Sequence, residues 1–119
     1  MTVESLPSRS DFDAVFSNPD AKVGRRDFLI LAKVQPGHSQ IQRIGFVTSK
    51  KKIKRAVDRN RFRRLFKETL RSHKLTAQID LVVIARSRPE HLHQSAFADE
   101  ISLCLQKLGQ MLEKKHAES

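Results

Sequence analysis

Hydrophobic and polar positions alternate along the chain in two different periods, and they divide it into six elements. In "SRSDFDAVF" (Ser8–Phe16), Phe12, Val15 and Phe16 recur at three- and four-residue intervals, which predicts a short helix capped by Ser8 or Ser10. "NPD" at 18–20 ends it. "FLILAKV" (Phe28–Val34) and "IQRIGFVTS" (Ile41–Ser49) read as strands, and the turn-rich "QPGHSQ" between them predicts that the two pair as an antiparallel hairpin. After the linker "KKKIK" comes "RAVDRNRFRRLFKETLR" (Arg55–Arg71), where apolar residues return at helical spacing; "SHKLTAQ" closes that helix. "IDLVVIA" (Ile79–Ala85) is almost wholly apolar and β-branched, so it predicts a strand buried on both faces. From Gln94 to Lys114, Phe97, Ile101, Leu105, Leu108 and Leu112 mark a final amphipathic helix. The predicted order is α-β-β-α-β-α, with room for a short extra strand near Lys22 and Val23. One α+β domain over residues 1–119 follows, with its ordered core from about residue 8 to 114 and a frayed tail after Lys115.

Length and charge sharpen this outline. A chain of 119 residues builds one core rather than two. Its 23 basic and 13 acidic residues give a formal charge of +10, and the distribution is uneven. Arg43 to Lys74 holds thirteen Lys or Arg against two acids, a local balance of +11, while the rest of the chain sums to −1. A nearly neutral scaffold with one concentrated basic segment predicts a polyanionic partner, because clustered cations attract phosphates and release their counterions.

On a helical wheel, Arg55–Arg71 separates into two surfaces. Phe62, Leu65, Phe66 and Thr69 fall on one side, with Leu70 at its edge. Opposite them run Asn60, Arg63, Arg64, Lys67 and Arg71, with Arg59 and Arg61 on the flanks. A solvated helix face is the ordinary reading of charged residues, but single-sign clustering costs stability through i,i+4 repulsion. Arginine forks bind phosphate bidentately, and Asn60 suits a sugar hydroxyl or base edge. A basic amphipathic helix also fits a membrane surface or an acidic protein. The flanking strands, which hold it to a sheet, favour a rigid nucleic-acid-binding domain.

The remaining chemistry is sparse. Asp11 and Asp13 read as a helix-start pair favoured by the helix dipole, and with Asp20 they form no convincing metal set. His91 and His93 lie in the loop "RSRPEHLH" without companions at ligand spacing, and the single Cys104 reads as a small core residue. With no disulfide partner, no apolar run of membrane-spanning length and no secretory pattern at the N-terminus, a soluble, cytoplasmic protein is expected.

The region "RIGFVTSKKKIKRAVDRNRFRRLFKETLR" (Arg43–Arg71) closely resembles the signature of the bacterial ribonuclease P protein component. It shows a strand, a lysine pair, an alanine and then Arg-Asn-Arg with further basic residues on one helix. The early "DFDAVF" and the later "IDLVVIAR" extend the likeness over nearly the whole chain. The resemblance implies an α/β sandwich of four strands and about three helices, with a left-handed βαβ crossover. It implies a protein subunit that binds the catalytic RNA of a tRNA-processing endonuclease and contacts the 5′ leader of precursor tRNA. Catalysis and its magnesium ions would belong to the RNA, with no catalytic or metal-binding residue in this chain. Lys50, Lys51, Arg55, Arg59, Asn60, Arg61, Arg63, Arg64 and Lys67 match the RNA-binding motif. Phe12 and Phe16, with Phe28 on the adjacent strand, match the aromatics of the leader-binding cleft, where bases stack on rings beside basic groups. Core packing is the alternative for these phenylalanines, as a general or ribosomal RNA-binding protein is for the function.

Overall fold

The computed structural model describes residues 2–35, 41–73 and 78–118, and five strands and three helices follow in the order β1 (Thr2–Ser5), α1 (Arg9–Ser17), β2 (Ala21–Gly24), β3 (Phe28–Val34), β4 (Ile41–Val47), α2 (Ala56–Ser72), β5 (Ile79–Ala85), α3 (Ser95–Glu118). The strands form one mixed sheet in the order β1-β4-β5-β3-β2. The connection expected as a turn at 36–40 and most of the segment expected to end α2, at 74–77, lie outside the described residues.

Two features correct the sequence reading. β3 and β4 are not a hairpin: β5 lies between them, antiparallel to β3 (Ile30 opposite Val83) and parallel to β4 (Ile44 opposite Leu81). The reason lies in β5 itself. All of its residues but the half-buried Ile84 are buried, so it gains most at the centre, with a strand on each side and helices above and below. The sheet also has five strands rather than four, because Thr2–Ser5 adds a parallel edge to β4. β4 and β5, adjacent and parallel, are joined through α2 as a βαβ unit.

Strand alternation sends side chains to two unequal layers. One face presents Phe28, Ile30, Ala32, Ile44, Leu81 and Val83 to Phe62, Phe66 and Leu70 of α2 and Phe97, Ile101, Leu105 and Leu108 of α3. Phe28, Phe62, Phe66 and Phe97 meet there with ring centroids 5.0–6.5 Å apart, mostly edge to face. The other face carries the smaller cluster of Leu6, Val15, Leu31 and Val82, bordered by Phe12, Leu29 and Ile84, under α1 alone. Ser8 caps α1, its Oγ accepting from the Asp11 amide at 3.3 Å. Cys104 is buried in the larger core, where desolvation pushes its thiol pKa up.

Candidate nucleic-acid interface

The linker before α2 is anchored by apolar and backbone contacts, so its lysines are presented rather than trailing. Ile53 is fully buried, and the amides of Lys52 and Ile53 donate to the Ser49 carbonyl at 3.1 and 3.0 Å. Arg59, one turn into the helix, donates through Nη1 to the carbonyls of Ile53 (2.9 Å) and Lys54 (2.8 Å), closing the linker onto α2. Lys50, Lys51 and Arg55 are left exposed, with no ion pair among the described residues.

Along α2 the buried seam is Asp58, Phe62, Phe66 and Leu70, so the outward stripe holds Asn60, Arg63, Arg64 and Lys67. The arginines divide by what they touch. Arg61 Nε donates to the Leu92 carbonyl at 2.9 Å, tying the helix to the loop before α3. Arg63 reaches Thr48 Oγ1 at the end of β4 (2.8 Å) and Asn60 Oδ1 (2.5 Å). Arg64 is exposed, with Glu68 one turn on at 3.9 Å, a separation that holds it weakly. Arg43, first of the basic residues by sequence, belongs to the other face of the sheet. Its Nε and Nη2 bond the buried Asp80 at 2.7 and 2.6 Å and its Nη2 reaches Asp11 at 3.3 Å, so its charge is cancelled locally.

Asp58 is the acid within the basic motif, and the sequence suggests for it only that, with Glu68, it relieves the repulsion along the stripe. It is 1% exposed and accepts from Arg88 Nε (2.9 Å) and His93 Nε2 (3.0 Å). The bonds from Arg88 and then His93 hold its carboxyl below the usual carboxylate range. Its negative charge is therefore turned into the protein, away from the stripe. His93 is in this way a partner of Asp58, and His91 of Glu100 at 2.6 Å. Among the described residues no three His, Cys, Asp or Glu side chains stand together as a metal site.

Of the three phenylalanines matched to a leader cleft, two share a groove. Phe12 and Phe16, with Leu6, Arg9 and Asp13, line an open depression of about 480 Å³ beside α1. Phe16 is 42% exposed, and Phe12 is half-buried with its ring directly over Gly45 of β4. Phe28 does not join them. It is fully buried on the opposite face, wedged among Phe62, Phe66 and Phe97, and no base can reach it. The ion pair of Arg43 with Asp11 ties α1 over the sheet, and the hydroxyl of Ser8 and then Arg43 lower the Asp11 pKa.

Known proteins share both sequence and fold with this chain. A sequence profile of the family described as Ribonuclease P matches residues 2–109. The ribonuclease P protein component of Idiomarina loihiensis is 38% identical over 116 residues, covering 96% of this chain and 90% of the relative. That of Stutzerimonas stutzeri is 37% identical, covering 90% and 81%. Among solved structures, the RNase P protein of Staphylococcus aureus superposes with a TM-score of 0.65 at 24% identity, covering 90% of this chain and 93% of that one. The Thermotoga maritima RNase P protein does so at 0.64 and 23%, covering 90% and 96%. Signature, coverage and fold agree, and this chain belongs to the ribonuclease P protein family.

Proposed function

We propose that α2 and the linker before it grip the catalytic RNA of ribonuclease P, while the groove beside α1 receives the single-stranded 5′ leader of precursor tRNA. As a family member the chain is the protein subunit of the ribonucleoprotein endoribonuclease that generates mature tRNA 5′ ends, and it works with an RNA subunit. The observation that carries the proposal is the stripe of Asn60, Arg64 and Lys67, continued by Lys50, Lys51 and Arg55. Its cations face outward, and the nearest acid but Glu68 is turned inward. Each cation neutralising a phosphate releases a counterion, so affinity comes largely from charge and falls steeply with salt. Arg59, Arg61 and Arg63 supply geometry as well as charge, since each fixes the helix to a neighbouring segment. On the other face, Phe16 offers a ring for base stacking and Arg9 a charge for the adjoining phosphate. The bond-breaking chemistry and its magnesium ions are assigned to the RNA. The protein neutralises phosphates, stabilises the folded RNA and retains leader-bearing substrate.

Reconstitution tests this. Purified protein should not cleave precursor tRNA alone, but at low magnesium it should restore accurate cleavage by the catalytic RNA. Arg64→Ala and Lys67→Ala should each flatten the log–log salt dependence of RNA binding by about 0.9. Phe16→Ala should weaken binding of leader-bearing substrate by roughly tenfold, about one stacked base, and spare mature tRNA. Cleavage by the protein alone, or failure to stimulate the RNA, would overturn the assignment.

A further inference from the structure

The β2–β3 turn and the end of β5 meet on the side of the sheet away from β1. The amides of Arg86 and Ser87 donate to the Asp27 carbonyl at 2.8 and 3.3 Å, which joins the two segments. Three guanidinium groups are thereby brought around an open groove of about 480 Å³ lined by Gly24, Arg25, Arg26, Arg86 and Glu100. A relay of hydrogen bonds orders it. His91 Nε2 bonds Glu100 Oε2 at 2.6 Å, Glu100 Oε1 accepts from Arg25 Nε at 3.2 Å, and the Arg25 carbonyl accepts from Arg86 Nη1 at 3.0 Å. Each arginine uses one nitrogen in this relay. Both Nη groups of Arg25, and Nε and Nη2 of Arg86, make no hydrogen bond among the described residues. Arg26 is 83% exposed at its side chain, and its ion pair with Glu90 is long, 3.9 Å, and equally exposed. Glu100 is the acid in the lining, and both its oxygens are engaged by His91 and Arg25. Gly24 forms part of the floor, where a Cβ would lie in ordinary contact with Arg86 Nη1 at 3.6 Å.

We propose that this groove is a second RNA-phosphate site, independent of α2, that takes a phosphodiester of an RNA strand. Guanidinium forks held in place with unused donors match the oxygens of a phosphate, and little ordering remains for binding to impose. The groove lies by β2, at the opposite edge of the sheet from β1, and is lined from the β2–β3 turn, the end of β5 and α3, with no residue of α2. The chain thus carries cations on two different sets of elements, and both can contact RNA phosphates. None of these arginines lies in the Arg43–Lys74 segment that dominates the charge. The inference rests on the reading of the chain as an RNA-binding subunit, and the test separates the two.

In the reconstituted holoenzyme, Arg26→Glu, Arg86→Ala and, on α2, Arg64→Ala are compared by affinity and its salt dependence. Three bindings are measured: protein to catalytic RNA, holoenzyme to leader-bearing precursor, and holoenzyme to mature tRNA. Arg26→Glu and Arg86→Ala should each lower affinity several-fold and flatten the slope by about 0.7–0.9, one phosphate contact, in at least one binding. A change in the first places the phosphate in the catalytic RNA. A change in the second alone places it in the leader, and equal changes in the second and third place it in the tRNA body. If all three bindings are unaffected while Arg64→Ala flattens the first, the second site is refuted and α2 stands. If Arg64→Ala is also without effect, both readings fall. Among the described residues Arg26 makes only the long, exposed ion pair with Glu90, so its variant keeps the test valid even if Arg86→Ala disturbs the turn.

Discussion

Replacing Gly45 by alanine is expected to strain the molecule at one identifiable contact. Gly45 is a β4 residue whose φ lies outside the left-handed region, so its backbone accepts an L side chain. What forbids one is Phe12: an ideal Cβ would fall 2.2, 2.7 and 2.9 Å from three atoms of its ring. To regain ordinary contact the ring must retreat by more than ~1 Å, and with it α1, which Ser8 and the Asp11–Arg43 pair hold in place. Overpacking of this kind costs about 1–3 kcal/mol. Without the ring the sign reverses, because alanine in a strand is favoured over glycine by about 0.5–1 kcal/mol. Urea unfolding of wild type, Gly45→Ala, Phe12→Ala and the double variant closes the cycle. Gly45→Ala alone should lower stability by about 2 kcal/mol, roughly 8 °C in Tm for a chain of this size. In the Phe12→Ala background it should be neutral or stabilising, giving a coupling of about 2–3 kcal/mol. Additive effects would refute the contact. Since Phe12 and Phe16 share a groove, Gly45→Ala should also weaken leader-bearing precursor more than mature tRNA.

Two further outcomes are expected. Phe28→Leu should cost about 1 kcal/mol as a shape change in a filled core yet leave the ratio of precursor to mature tRNA affinity unchanged; a changed ratio would return Phe28 to the leader site. Asp11 and Asp58 have native pKa values below their unfolded value of about 3.9, so the stability they contribute is present above that pH and is lost as pH falls through their native values. Urea midpoints between pH 6 and 2 should therefore fall less steeply for Asp58→Asn than for wild type, and an identical acid limb would mean that Asp58 gains nothing from Arg88 and His93.

Much of this architecture is legible in periodicity. The three helices, the strands β3, β4 and β5 and a serine cap on α1, at Ser8 or Ser10, follow from spacing that a buried core must obey, and the two faces of α2 follow from the wheel. Pairing partners are a different matter. The strand pattern of Phe28–Val34 states that alternate residues face opposite ways, but not which helix covers which face; Phe28 thus fell beside Phe12 by sequence while lying across the sheet from it. "TVES" is short and polar, and it becomes a strand because β4 offers an unpaired edge, a tertiary effect with no local signal. In the basic motif, residue type was legible but engagement was not. The carbonyls of Ile53, Lys54 and Leu92 that bind Arg59 and Arg61 are placed by the linker and by a loop thirty residues away. The adjacent arginines of "RRD" (Arg25–Asp27) were visible in sequence, but their meeting with Arg86 depends on the pairing of β3 with β5.

The way this chain satisfies its arginines explains how it tolerates so dense a charge and still presents it. A carboxylate partner would fix a guanidinium and cancel its field together, as Asp80 and Asp11 do for Arg43. On α2 the acceptors are neutral: two backbone carbonyls for Arg59, one for Arg61, a hydroxyl and a side-chain amide for Arg63. A neutral acceptor restrains the fork through hydrogen bonding and leaves its charge uncancelled. Asp58 completes the arrangement by directing its charge to Arg88 and His93 of the loop before α3. Like-charge repulsion along the helix is thus borne by a fold anchored through Phe62, Phe66 and Leu70, and relief of that repulsion by a polyanion adds to the free energy of binding. The same economy appears at Arg86, which a carbonyl holds without neutralising. Where an arginine of α2 is bonded only to a carbonyl, hydroxyl or amide oxygen, its charge stays uncancelled; where Arg43 is bonded to the buried Asp80, its charge belongs to the scaffold.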